Sequence, residues 1–263
     1  MKSLVRNFYK SGDDSDFREI IFLSERADLD WSELSNDAPR LPRGWFELSR
    51  VSPEDRIEFT RDFWLDRLPF LPQAHAAFAE FFEQLDDVAV VLSKKDEEEP
   101  FEAELVYSLA DGSCFFRGKP PCVDEDLAEL KNEIGVPLPR DYLAFLKIHN
   151  GFGKISEMGL LEAEEIGGAK RRVMEMVLMA REPVKVRGTA VDPGALIPFY
   201  EALGLSSFQC FYSDWYPGSE MGNVYLSGID YTISDPCIGG DGPSFAAFSD
   251  WLVYYLQGMT LSP

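Results

Sequence analysis

Val123-Asp124-Glu125-Asp126-Leu127-Ala128-Glu129-Leu130-Lys131-Asn132-Glu133-Ile134-Gly135-Val136-Pro137-Leu138-Pro139 is the stretch from which the fold is read. Val123, Leu127, Leu130 and Ile134 recur at helical spacing, with Asp124, Glu125 and Asp126 at the positive end of the same segment. Gly135 suits the left-handed residue that closes such a helix. Pro137 and Pro139 then forbid its continuation, because each removes an amide donor and fixes φ. Beyond them Tyr142, Phe145, Leu146 and His149 mark one face of a second helix, which Asn150-Gly151 ends with residues tolerant of positive φ.

Toward the C-terminus lie an apolar segment Leu196-Ile197-Pro198-Phe199, a strand-like Ser207–Tyr212 and a further strand, Gly222-Asn223-Val224-Tyr225-Leu226. Ser244-Phe245 introduces a last helix, with Ser244 expected as its cap, Phe248, Leu252 and Tyr255 as its apolar face and Gly258 behind it. The ordered set, from the first helix with Gly135 through Leu138, Pro139, Asn150 and Gly151 to Ser244 and Phe245, resembles the SUKH superfamily. That superfamily takes in the yeast cell-wall synthesis regulators and many bacterial immunity proteins. The resemblance covers about residues 120–258 and implies an α+β domain of helices packed on a mainly antiparallel sheet. Leu138, Pro139, Asn150, Gly151, Ser244 and Phe245 are then structural. A helix-like stretch at 169–181, rich in Met and Arg, is longer than the family pattern leads one to expect.

The preceding residues, 1–118, match no such pattern. Asp14 or Ser15 is expected to cap a helix through Phe17, Ile20, Ile21 and Leu23, and residues 30–42 read as irregular. Ser52-Pro53-Glu54-Asp55 is an N-cap followed by a first-turn proline and an acid, with Ile57, Phe63, Trp64 and Leu68 as the stripe behind it. Pro72 opens another helix through Ala74, Phe78, Phe81 and Leu85. Residues 88–92 read as a buried strand and residues 94–100 as a charged loop. Residues 101–107 then alternate as a half-buried strand, and Asp111-Gly112 turns the chain into residues 113–117, so that the three segments form a β-meander. Gly118-Lys119-Pro120-Pro121 breaks both periodicities, which divides the chain into residues 1–118 (helical region plus β-meander) and 119–263 (SUKH-like domain).

Charge narrows the partners. The 263 residues carry 25 Lys+Arg against 46 Asp+Glu, a formal net charge of −21. Phosphate backbones and anionic lipid surfaces repel such a chain unless it segregates a basic patch. Residues 188–263 hold no Lys, Arg or His but eight carboxylates, and the tightest basic group, Lys170-Arg171-Arg172, falls within a helical stretch. We therefore expect neither a nucleic acid nor a membrane as partner. No apolar run reaches the length of a signal peptide or a membrane span, and Cys114, Cys122, Cys210 and Cys237 form no C-x-x-C pair, so a reduced, cytoplasmic protein is expected.

The inventory of reactive side chains favours binding over catalysis. His75 and His149 are the two histidines; the first reads as surface and the second as packed. No zinc-ligand spacing, G-x-S-x-G or phosphate-loop motif occurs, and Gly239-Gly240-Asp241-Gly242 lacks the lysine a phosphate cradle needs. Asp13-Asp14-x-Asp16 does not fit a calcium loop. We expect no catalytic residue, no metal and no cofactor; the rival enzyme reading is a carboxylate-dependent hydrolase using pairs such as Asp86-Asp87 or Glu164-Glu165. The candidate partner site is Tyr212, Asp214, Trp215, Tyr216 and Glu220, an aromatic and acidic stretch around the turn Pro217-Gly218. The alternative is that Trp215 folds back as core beneath its own loop. The resemblance implies a protein-binding module, either an immunity protein that neutralises a toxin or a regulatory module; acidity suits a basic, nuclease-like toxin. In a scaffold reading, residues 1–118 do the binding instead.

Overall fold

The structure is a computed structural model that describes residues 3–11, 17–155, 159–202, 206–236 and 243–258. The Asp14/Ser15 cap, the Asp13–Asp16 acids, Cys237 and the glycine cluster 239–242 lie outside the described residues. Two compact units are present: Met1–Arg67 with His75–Pro121 and Phe152–Ser156, and Leu68–Ala74 with Cys122–Gly151 and Glu157–Pro263.

The first unit holds α1 (Ser3–Ser11), β1 (Glu19–Phe22), α2 (Trp31–Asp37), α3 (Arg43–Leu48), α4 (Pro53–Arg67) and most of α5 (Pro72–Glu83), with β2 (Leu85–Lys94), β3 (Glu102–Leu109), β4 (Phe115–Gly118) and β5 (Phe152–Lys154). Its strands pair antiparallel in the order β1-β2-β3-β4-β5. The expected meander is present as β2, β3 and β4. Residues 19–22 form a strand and not a helix: β-branched Ile20 and Ile21 pair with Ser93 and Leu92, and a waiting sheet edge outweighs local helical spacing. Residues 30–42 are not irregular throughout either, since the Asp30 carboxylate caps α2 by accepting from the amides of Ser32 and Glu33.

Strand β3 is buried on both faces, not half-buried as the alternation implied. One face packs Val106 with Phe115 of β4, Val91 of β2, Phe22 of β1, and Val5 and Tyr9 of α1. The other presents Tyr107 to Trp64, Phe81, Phe82 and Phe152. Glu104 tolerates burial because the Tyr9 hydroxyl donates to it and the Arg117 guanidinium lies 2.9 Å away.

Helix α4 starts as its sequence predicts: the Asp55 amide donates to Ser52 Oγ at 3.2 Å, and Pro53 occupies the first turn. Its buried face is Arg56, Thr60 and Trp64. Phe63, expected in the inward stripe, is 39% exposed, because the partly polar row ending in Trp64 takes the inner face.

The second unit contains α6 (Asp124–Ile134), α7 (Arg140–Leu146), β6 (Gly159–Leu160), α8 (Ala163–Met179), β7 (Lys185–Val186), β8 (Thr189–Ala190), β9 (Leu196–Ala202), β10 (Ser207–Tyr212), β11 (Asn223–Ser227), β12 (Thr232–Ile233) and α9 (Phe248–Leu256). Here β6, β9, β10, β11 and β12 pair antiparallel in that order, and β7 and β8 form a separate hairpin. Both units thus pack helices on antiparallel strands, and the chain is of the α+β class. Leu127, Leu130 and Ile134 are buried as predicted and Gly135 closes α6 at φ 73°, whereas Val123, expected in the same stripe, is the N-cap and 50% exposed. The expected helix 169–181 is the second part of α8, whose start is fixed upstream by a reciprocal cap between Glu162 and Glu165. Helix α7 stops at Leu146, short of Asn150, because Asn150 is needed elsewhere: its Oδ1 accepts from the Ala163 amide and its Nδ2 donates to Glu164, holding the start of α8.

Ser244 does not cap the last helix. Ala247 occupies that position, while the Ser244 hydroxyl donates to the Asp235 carbonyl and Phe245 bridges Asn223. The cap comes from a distance. Asp141 Oδ2 accepts from the Ser249 amide at 2.8 Å and from the Ser249 hydroxyl at 2.9 Å, so a carboxylate of α7 satisfies the first turn of α9.

That arrangement crowds a second acid. Burial, and then the charge of Asp141, raise the Asp250 carboxyl above its ordinary value of 3.8, opposed only in part by a backbone hydrogen bond at Ala247. A carboxyl whose folded pKa lies above its unfolded one weakens the fold at neutral pH, and the loss vanishes as pH falls through the raised value and below 3.8. Asp250→Asn is therefore expected to stabilise the protein at pH 7. Because Asp250 is exposed at its surface, solvent screening should hold the gain below about 1 kcal/mol, or about 2–4 °C in Tm. Thermal melts across pH check it: the gap between variant and parent should close in acid.

Candidate functional site

The loop that joins β10 to β11 carries the residues singled out by composition. Its base is tied down on three sides. The Tyr212 amide donates to the Gly222 carbonyl at 3.0 Å and the Gly222 amide to the Trp215 carbonyl at 2.8 Å, while the Ser213 amide reaches the Ala195 carbonyl at 2.9 Å. The Trp215 ring lies against Gly222 so closely that a Cβ there would sit 2.6 Å from ring carbon Cε3. Only glycine allows that approach. Trp215 is half-buried in consequence, part wall of the loop and part surface.

Glu220 is spoken for within the fold. Its Oε2 accepts from the Arg140 amide at 2.7 Å and its Oε1 lies 3.2 Å from the Arg140 guanidinium, so it fastens the loop to the start of α7. Asp214 is exposed, and Tyr216 is 53% exposed. Tyr212 is half-buried, and burial followed by the charges of Asp214 and Asp192 pushes its hydroxyl above the usual tyrosine pKa. The phenol therefore stays protonated and can donate a hydrogen bond at neutral pH. The loop presents the Asp214 carboxylate, a neutral phenol and an exposed aromatic ring on a base that Glu220 helps to pin. This surface can receive a cationic side chain and cover it with a ring.

The motif residues of the resemblance fall in structural places. Leu138 and Pro139 are buried at the entry to α7, Asn150 holds α8, Gly151 has φ 98°, and Phe245 pairs with Asn223. His149 is buried, as its place on an apolar face implies, and His75 is half-buried with Nε2 3.3 Å from the Leu65 carbonyl. Arg171 and Arg172 of the basic triplet face Glu133 and Glu201. Among the described residues, no helix is long and apolar enough to cross a membrane. Asp141 and Gly222 escaped the reading of the sequence. The first looks like any first-turn acid, because its partner Ser249 is 108 residues away; the second is an ordinary strand-edge glycine until Trp215 is laid on it.

The antiparallel strands, the Gly135 and Leu138-Pro139 corner and the closing helix define an α+β domain of SUKH type. The chain matches the SMI1 / KNR4 family (SUKH-1) over residues 121–252, half of its length, and belongs to that family. No curated protein matches it.

Proposed function

We propose that the protein is a non-catalytic binding module that recognises a basic protein partner through the β10–β11 loop. The observation that carries this reading is the pinned loop base, which presents Asp214 and Tyr216 to solvent without requiring the loop to order on contact. Membership of the SMI1 / KNR4 family supports a binding role, and the absence of any cation in the sequence of residues 188–263 favours a basic partner. A basic, nuclease-type toxin has the required chemistry, which makes an immunity protein the specific form of the proposal.

The test is capture from native lysate by the tagged full chain at low and high salt, with bound proteins identified by mass spectrometry. A dominant basic partner that salt displaces is expected, and Asp214→Asn/Tyr216→Ala should lower its capture about tenfold while leaving the thermal melt unchanged. Equal capture by that variant would remove the loop from the interface.

A further inference from the structure

Helix α4 of the first unit buries one face and exposes aromatic rings on another. The inner one, with Arg56, Thr60 and Trp64, packs in its own unit. The outer one carries Asp55, Phe59, Asp62, Phe63 and Asp66, which fall within about 100° of the helix circumference. Phe59 is 57% exposed and Phe63 39%. Two phenylalanines one turn apart form a ridge that water solvates poorly, and acids line its side. Arg61 lies outside this arc and reaches Asp62 and Glu58, at 2.8 and 3.7 Å, and with Asp55 and Asp66 the face keeps an excess of acid. Arg67 shows what the rings accept: its guanidinium carbon lies 5.2 Å above the Phe63 ring.

We propose that the outer face of α4 docks a basic amphipathic helix of a partner protein. A ridge of i and i+4 rings fits between the side-chain rows of a second helix, and Lys or Arg on the flanks of that helix would meet Asp55, Asp62 and Asp66. The other occupants fit worse. An anionic membrane is repelled by the same acids, and a second copy of this chain brings its own charge of −21. The inference rests on α4 alone and needs nothing from the β10–β11 loop.

A fluorescein-labelled synthetic helix of Leu and Lys, about four turns long, serves as the probe, with binding to the full chain followed by anisotropy. Saturable binding is expected, weaker at high salt, with amide-exchange protection confined to residues 53–67. Phe59→Ser/Phe63→Ser should weaken it at least about tenfold, and Asp55→Asn/Asp62→Asn/Asp66→Asn should flatten the salt dependence. Asp214→Asn/Tyr216→Ala should leave the amide-exchange protection at residues 53–67 as in the parent, which separates this surface from the loop. A benzophenone-bearing probe should crosslink to residues 53–67 of the unaltered chain, which needs no variant to fold. Crosslinks elsewhere, unchanged affinity in a folded serine variant, equal binding of a Leu/Glu helix, or dimerisation through α4 in sedimentation would each overturn the proposal.

Discussion

Asp87→Ala is expected to destabilise the protein by about 3–5 kcal/mol, the range found when one partner of a buried ion pair is removed. The Arg56 guanidinium places Nε 3.0 Å and Nη2 2.7 Å from Asp87 Oδ1, and its Nη1 donates to the Val51 carbonyl at 2.7 Å. Both side chains are nearly inaccessible, at 5% and 6% exposure. Without the carboxylate, a cation stays in a place from which water is excluded, and little of its solvation is replaced. The double substitution Arg56→Met/Asp87→Leu should recover most of the loss, since it removes the charge along with its partner. Urea unfolding of the three variants decides the matter. A cost for Asp87→Ala below about 1 kcal/mol would mean the pair behaves as an exposed one.

Phe248→Ala should cost a similar amount, about 3–5 kcal/mol, for a different reason. The Phe248 ring is fully buried where α9 meets its sheet, with ring centroids of Tyr142, Phe145, Phe199 and Trp251 at 5.2, 5.6, 5.6 and 5.7 Å. Aromatic neighbours on several elements cannot collapse into the space together, so a cavity persists and the contacts are forfeited. Phe248→Leu keeps most of the volume and should cost less than about 1.5 kcal/mol. Calorimetric unfolding would show the difference, and equal losses for the two variants would refute the packing account.

Much of the second unit is legible in its sequence. The α6 stripe, Gly135, the two prolines and the closing apolar face all state their role within a few residues of themselves. The same holds for Ser52 and Asp55 at the start of α4. These features are local, and a local pattern suffices because hydrogen bonding and backbone conformation act between near neighbours. For the candidate loop, composition pointed out Tyr212, Asp214, Trp215, Tyr216 and Glu220, but not what each does. That Glu220 fastens the loop, that Trp215 needs Gly222, and that Asp214 and Tyr216 remain outward depends on Arg140 and β11.

The departures share one cause. Ile20 and Ile21 read as helix until β2 offers them a sheet edge. Glu104 reads as the solvent side of a strand until α1 covers it with Tyr9. Phe63 reads as core until Trp64 takes the inward face of α4. Ser244 reads as a cap until Asp141 supplies one from another helix. In the chain of residues lie the elements of the SUKH-type region, their main apolar faces and the overall negative charge, because these follow from spacing and residue chemistry. Partners distant in sequence decided which side of an element is covered and which carboxylates become structural, since burial is a property of two surfaces and neither can be read from one of them.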